Sequence, residues 1–540
     1  MFCDTPQVNQ LTSLLIAHGI RDVVVCPGSR NATIVHNLHE AGDKHFTLHP
    51  VTDERSAAFV ALGMSLATQE STAVCVTSGS ALLGCIPAVA EAYYRHIPLL
   101  VISADRPQAW IGQMDGQTLP QNGALLPYCS TAQISSVKDD ENLWENNRLI
   151  NAALLSLHDK GGRPAHINVS IAEPMFSFTT ERLPEERKVE KVVGKSQTPL
   201  PESVLEAIAA ARLPVLLLGQ YEAGDIRSEV KALAENGQML VLPELISDVS
   251  GSHRLHAFDT LDDTEEALMP DIVVQCGGNF VHKRFKSLLR RSNCRVVRIG
   301  QDYELCDTFC HLSTWIDTPL QPALSQLAVR LPRHNATVEQ AALRLDHLWE
   351  AEQETLDRKK LTPFTVLSAL HGELQKLDGI PYTLHLANSS SVRAAGLVFD
   401  SGASPIFCNR GTNGIEGSLS TAVGYAIKMW GLSIAVIGDL SFFYDVNALW
   451  NTRLPANLRI LLLNDGHGAI FDRLPGLSAS PAAEEYISAG RQSFKASGIA
   501  NAFFLSYHSV SSLEELREAL PKWLSAHEEG NAQLLEVSLQ

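Results

Sequence analysis

Along the first third of the chain, short continuous apolar runs alternate with longer stretches of helical periodicity. Asp22-Val23-Val24-Val25, Ala73-Val74-Cys75-Val76 and Pro98-Leu99-Leu100-Val101-Ile102 are strand-like, while 54–67 and 81–94 are helix-like. Strands that are apolar at every position, separated by helices, predict a parallel sheet covered on both faces. The alternation returns twice. Runs at 214–218, 271–274 and 295–299 predict a second, smaller α/β unit, and runs at 434–437 and 459–463 belong to a third. A polar, proline-bearing stretch at 179–201 reads as a linker, and a charged helical pattern near 338–360 as a connection. The expected organisation is α/β throughout, with three doubly wound parallel-sheet domains at 1–180, 201–337 and 361–540. A linker at 181–200 and a helical connection at 338–360 would join them. No short internal repeat and no low-complexity tract is visible.

Length and composition agree: 540 residues suit about three domains of ordinary size, and 45% hydrophobic with 19% charged residues is usual for a globular protein. The net charge of −17 argues against a general binder of nucleic acid or anionic membrane, yet leaves room for a locally basic pocket that takes a small anion. No apolar run approaches the roughly 18 residues of a membrane span. The start, Met1-Phe2-Cys3-Asp4-Thr5-Pro6, has no basic or apolar leader pattern, so no signal peptide is expected. Ten scattered cysteines, with Cys306 and Cys310 lacking C-x-x-C spacing, read as reduced residues of a cytoplasmic protein. The pairs His36/His39 and His45/His49 lack a companion Cys or acid cluster, so no histidine metal site is expected. The second block has no G-x-G-x-x-G after a strand, which speaks against a nicotinamide site.

The strongest chemical signal lies in the third block. The apolar run 434–437 ends in Gly438-Asp439-Leu440-Ser441, with a helix expected to follow through Trp450. The run 459–463 ends in Asn464-Asp465-Gly466-His467-Gly468. Asp439 and Asp465 are 26 positions apart, one strand–helix–strand crossover, so both carboxylates should reach the same carboxyl edge of a parallel sheet, where ligands of open α/β folds bind. Two hard oxygen ligands there suit a magnesium ion bridging to phosphate, and glycine beside a helix start lets backbone amides approach a diphosphate. Taken singly, each turn reads more readily as a helix cap; the paired spacing reverses that in favour of the metal reading.

This pattern resembles the G-D-G…N-N signature of thiamine-diphosphate (ThDP) enzymes, departing at Leu440, where a second glycine is usual, and at Asp465, where an asparagine is usual. The resemblance implies a divalent ion, magnesium or alternatively manganese, held by Asp439, Asp465 and the carbonyl of His467, with Gly438, Leu440 and Ser441 near the diphosphate. It also implies a glutamate at a helix start in the first domain, working beside the cofactor's pyrimidine in a dry pocket that raises its pKa. Glu54, in His49-Pro50-Val51-Thr52-Asp53-Glu54-Arg55-Ser56, fits that context. The alternative is a first-turn Glu favoured by the helix dipole.

Several strings, in family order and spanning nearly the whole chain, are most similar to the SEPHCHC synthases of menaquinone biosynthesis. They are Cys26-Pro27-Gly28-Ser29-Arg30, Asp53-Glu54-Arg55-Ser56-Ala57, Thr77-Ser78-Gly79-Ser80, Ala104-Asp105-Arg106-Pro107, Asn388-Ser389-Ser390-Ser391-Val392-Arg393, Asn409-Arg410-Gly411, Gly414-Ile415-Glu416-Gly417 and Ala469-Ile470-Phe471, with His282-Lys283-Arg284 in the middle block. The resemblance implies decarboxylation of 2-oxoglutarate and conjugate addition of the succinyl unit to isochorismate. Both substrates carry two carboxylates, and guanidinium groups bind carboxylates in a bidentate way. By the same resemblance, Ser389, Arg393 and Arg410 hold 2-oxoglutarate, while Ser29, Arg30, Arg106, Gln117, Lys283 and Arg284 hold isochorismate. The family often has Asn where Gly116 precedes Gln117 here. Thr77, Ser78, Gly79, Asn409 and Gly414 would line the cofactor, Ile415 would bend it, and Ile470, Phe471 and Leu474 would form an apolar wall. A homodimer or dimer of dimers with sites shared between chains is implied. An acetolactate-synthase-like carboligase or decarboxylase, or a non-catalytic anion-binding regulator on the same fold, are the alternatives; the arginines weigh against the first, and retention of Glu54, Asp439 and Asp465 against the second.

Overall fold

The computed structural model describes residues 1–540 except 194–197, 223, 259–265, 403, 451–453, 475, 526–529 and 540. Part of the expected linker, 194–197, lies outside the described residues. Three wholly parallel sheets follow one another along the chain. The first contains β1 (Asp22–Val25), β2 (Thr47–Pro50), β3 (Thr72–Val76), β4 (Leu99–Asp105), β5 (Thr131–Ile134) and β6 (Ala165–Ser170), in the order β2-β1-β3-β4-β6-β5. The central sheet contains β7 (Pro214–Leu218), β8 (Leu240–Pro243), β9 (Ile272–Cys276), β10 (Arg295–Ile299) and β11 (Leu312–Ile316), ordered β11-β10-β9-β7-β8. The third contains β12 (Tyr382–Leu386), β13 (Ile406–Cys408), β14 (Leu432–Gly438), β15 (Leu458–Asn464), β16 (Ser506–Val510) and β17 (Gln533–Ser538), ordered β13-β12-β14-β15-β17-β16.

The inner strands are apolar throughout because helices cover both faces; every residue of β3, β4 and β15 is buried. The first and third sheets have the same order of connection. This is a domain-length repeat of topology, carried by burial pattern rather than by residue identity, and a search for short repeats does not meet it.

The two like-ordered domains lock together through the Glu54–Thr68 and Ser418–Lys428 helices. Gly63 and Gly424 let the backbones meet: a Cβ on Gly63 would lie 2.1 Å from Thr421 O, and one on Gly424 2.0 Å from Val60 O. The Ala336–Thr355 helix is more than a connection, since Val338, Ala341 and Leu345 are buried in the core of the central sheet. Among the described residues, no helix is long and apolar enough to cross a membrane.

Candidate active site

Parallel strands in a doubly wound sheet end at one edge, and the sequence-predicted residues Ser389, Arg410, Asp439 and Asp465 follow the ends of β12, β13, β14 and β15 there. Gly438, the last residue of β14, pairs with Leu463 of β15, so the turns bearing Asp439 and Asp465 leave the sheet side by side. Asp439 opens a short helix, Asp439–Tyr444. Its Oδ1 accepts from Leu440 N and its Oδ2 from Gly466 N, both at 2.7 Å. Burial, and next the charge of Asp465, push the Asp439 carboxyl up to about 6, and burial raises Asp465 too. A buried carboxylate whose ionisation is opposed by a partly buried neighbour is a site a divalent cation relieves. A Cβ on Gly438 would meet open space, leaving room beside the pair. Among the described residues no three His, Cys, Asp or Glu side chains cluster as metal ligands. A cation here therefore needs further oxygens, and the His467 carbonyl and a diphosphate fit that requirement. That carbonyl accepts from Ala469 N at 3.0 Å and keeps a second lone pair.

The expected helix through Trp450 stops at Tyr444. Asp445, fully buried, turns its carboxylate to Ser420 N and Oγ, both at 2.8 Å, and a 3-10 turn, Val446–Leu449, replaces the rest.

At the ends of β12 and β13, Asn388 is the hub. Its Nδ2 donates to the carbonyls of Asn409 and Gly414, both at 2.7 Å, and its Oδ1 accepts from Arg410 Nη1 at 3.0 Å. Arg410 is buried, also reaches Phe280 O of the central domain at 3.3 Å, and keeps a buried Nε without a partner among the described residues. Ser389 has φ 75°, which L side chains rarely adopt; strain of this kind concentrates at ligand sites. Its carbonyl accepts from Arg393 Nη1 at 2.8 Å. Ser441 Oγ donates to Ile415 O, tying the predicted wedge to the metal turn. Ile470 and Phe471 stand half-buried after the His467 turn, with Leu474 exposed beyond them.

The carboxyl edge of the first sheet gathers the other half. Asp53 caps the Glu54–Thr68 helix, accepting from Arg55 N at 2.9 Å and Ser56 N at 3.2 Å, and so fixes Glu54 as its first residue. Glu54 stands against Gly84, Cys26 and Cys85: burial raises both thiols, and the charge of Glu54 adds to the rise. Among the described residues nothing donates a hydrogen bond to its carboxylate. Thr77 Oγ1 and Ser56 Oγ are buried without partners among the described residues. Gly79 packs on the Gln117 backbone, and its N donates to Gln121 Oε1 at 2.7 Å. Ser29 and Gln117 are exposed. Arg30 is buried and Arg106 partly so; each faces Glu173. Lys283, Arg284 and Arg393 line one cavity of about 460 Å³ with His282 and Glu352, bringing together residues expected on opposite substrates.

Sequence reasoning missed the residues that join the domains. Glu91, fully buried, accepts from Gly411 N (2.9 Å), Thr412 N (2.7 Å) and Thr412 Oγ1 (2.9 Å), and Arg95 Nη1 donates to Asn409 Oδ1 at 2.7 Å. Asn279 Nδ2 donates to the Arg410 and Gly411 carbonyls. The only advance signal was a Glu–Arg pair at i, i+4 in an otherwise apolar helix.

Loss of the Asp439 carboxylate should weaken cofactor retention rather than the fold. In Asp439→Ala, calorimetry is expected to show ThDP affinity falling at least tenfold, with little remaining dependence on magnesium. Unchanged, still magnesium-dependent affinity refutes the anchoring role.

The chain matches, over residues 8–124, the model of the thiamine pyrophosphate enzyme N-terminal TPP-binding domain. It is 40% identical over 551 residues to the 2-succinyl-5-enolpyruvyl-6-hydroxy-3-cyclohexene-1-carboxylate synthase of Phocaeicola vulgatus, covering 99% of this chain and 96% of that protein. Against the synthase of the same name from Bacteroides fragilis the identity is 40%, over 96% and 93% of the two chains. Against that from Desulfotalea psychrophila it is 34%, over 89% of each. Among solved structures, the thiamine diphosphate-dependent 4-hydroxybenzoylformate decarboxylase of Rhodococcus jostii superposes with a TM-score of 0.71 over 99% of both chains at 19% identity, a shared fold.

Proposed function

Since the chain belongs to the 2-succinyl-5-enolpyruvyl-6-hydroxy-3-cyclohexene-1-carboxylate (SEPHCHC) synthase family of ThDP enzymes, we propose how its own residues divide the work of that reaction. The protein is a ThDP- and divalent-metal-dependent transferase of menaquinone biosynthesis, joining the decarboxylated remainder of 2-oxoglutarate to isochorismate. The observation that carries the residue-level reading is the pair of strand edges: one bears two opposed carboxylates, the other an acid at a capped helix start, and both are flanked by arginines.

Bound ThDP supplies an electron sink that lets a 2-oxo acid lose carbon dioxide and leaves its carbonyl carbon nucleophilic. Asp439 and Asp465, with the His467 carbonyl, hold the metal and through it the diphosphate. Glu54 holds a proton at a pyrimidine ring nitrogen. Arg393 and Arg410, beside Ser389, orient 2-oxoglutarate by its carboxylates. Arg30 and Arg106, with Ser29, Gln117, Lys283 and Arg284, receive isochorismate. Ile415 shapes the cofactor site, and Ile470, Phe471 and Leu474 exclude water from the reacting carbon. Two chains share each site, in a cytoplasmic dimer or a dimer of dimers. Leu83, Ile415, Tyr444 and Leu474, around these edges, are 41–51% exposed in the single chain, the kind of apolar surface a second copy covers.

The test is carbon dioxide release from 2-oxoglutarate with ThDP and magnesium, with and without isochorismate, alongside product analysis. Rapid turnover only when both substrates are present is expected; equal use of pyruvate would sink the reading in favour of an acetolactate-synthase-like carboligase. Within the same assay, Arg393→Ala should cost about ten- to a hundredfold in preference for 2-oxoglutarate over an acid lacking the distal carboxylate, the worth of one charge-assisted contact. Equal losses on both acids would show that Arg393 does not read that carboxylate.

A further inference from the structure

Arg30 and Arg106 follow the ends of β1 and β4, and both turn their guanidinium groups on one carboxylate oxygen. Arg30 Nη2 donates to Glu173 Oε1 at 3.0 Å, and Arg106 Nη1 stands 3.7 Å from the same atom. The two cations are held from behind. Arg30 Nη1 donates to Ile171 O at 3.1 Å, and Arg106 Nε donates to Gly116 O at 3.0 Å and lies 3.1 Å from Asp115 Oδ2. The anion is not held in this way: the Arg30 side chain is 5% exposed, that of Glu173 67%. Two fixed guanidinium groups converging on one oxygen make the arrangement that a substrate carboxylate uses. An ion pair whose acid faces water is weak and easily exchanged.

We propose that Glu173 is an internal stand-in for a carboxylate of the second substrate. It neutralises and aligns Arg30 and Arg106 until an incoming dicarboxylate displaces it. The inference rests on the reading of these arginines as the isochorismate subsite and adds a residue which that reading does not contain. Without Glu173, Arg106 would keep Asp115, but Arg30 would have no carboxylate within ion-pair distance among the described residues. With it, they stay aligned, and the apparent affinity for substrate is lowered by the fraction of molecules in which Glu173 holds the site. Glu173 thereby sets how much of the second substrate the enzyme needs.

The experiment uses the full-length enzyme loaded with ThDP and magnesium. Glu173→Gln keeps the size and removes the charge. Its KM for isochorismate should fall about three- to tenfold at low ionic strength, the gain shrinking as salt rises, with the KM for 2-oxoglutarate as internal reference. Glu173→Asp, which keeps the charge, should lie nearer the wild type. An isochorismate KM that rises or does not move overturns the proposal. A second readout needs no substrate: phenylglyoxal labelling of Arg106, followed by peptide mass, should quicken in Glu173→Gln, and unchanged labelling refutes the guarding contact. Quicker labelling in a protein that does not consume isochorismate would uphold the guard and strike down the substrate reading instead.

Discussion

Glu54→Gln should fold normally and lose about 10²- to 10⁴-fold in turnover, the usual scale for a positioned acid or base. The side chain keeps its shape. The helix it begins is capped by Asp53 and packed through Gly63 against the Ser418–Lys428 helix, so neither the fold nor the cofactor's diphosphate end depends on the Glu54 charge. What disappears is a group able to hold a proton at a ring nitrogen. The structural cost is confined to the favourable interaction of a first-turn acid with the helix dipole, about 0.3–1 kcal/mol. The measurement is kcat at saturating ThDP and magnesium, with thermal melting and ThDP affinity as controls. Turnover near that of the wild type, in a variant that binds ThDP normally, would remove Glu54 from the mechanism.

The chemistry was legible where it sat at the end of an apolar strand. β14 and β15 are readable as unbroken aliphatic runs, so the carboxylates just beyond them, Asp439 and Asp465, could be assigned to one edge from spacing alone. Glu54 and Arg106 also follow strands, β2 and β4, but they were singled out through the family resemblance rather than by spacing. The helix expected after Asp439 was read too long, because what ends it is Ser420, a residue more than twenty positions away that draws Asp445 inward. The domain-joining bonds of Glu91, Arg95 and Asn279 have no local signature beyond the i, i+4 Glu–Arg pair. Glu91 meets Gly411 across 320 positions, and a buried polar residue in an apolar helix does not announce its partner. The contact of Glu173 with two arginines was hidden for the same reason, although both arginines had been singled out. Periodicity reports which face is buried. It does not report which distant backbone a buried side chain must satisfy.

Mixing two inactive variants should restore activity, and the amount is fixed by symmetry. Within one chain, the start of the Glu54–Thr68 helix meets the far end of the Asp439–Tyr444 helix: Arg55 donates to Tyr444 O at 2.7 Å, and Asn447 donates to Asp53. Those contacts fall about 8 Å along the helix axis from Asp439. Glu54 itself remains partly open, without a hydrogen-bond partner among the described residues, whereas an acid working beside a cofactor ring needs a water-excluding surround. If a second chain completes that surround, the Glu54 of one chain serves the Asp439 of the other. A dimer of Glu54→Gln chains and a dimer of Asp439→Ala chains then each carry one lesion in every site. In a mixed dimer one site collects both lesions and the other none. Random pairing makes about half of the dimers mixed, each with one good site of two, so activity should recover to about a quarter of the wild-type value. A site served by a single chain predicts no recovery, because every site then keeps a lesion. Two different Glu54 variants mixed together should stay inactive under either arrangement, which makes them the control. Exchange of chains is verified by pull-down of a tagged partner; with exchange verified, absence of recovery rules out the shared site.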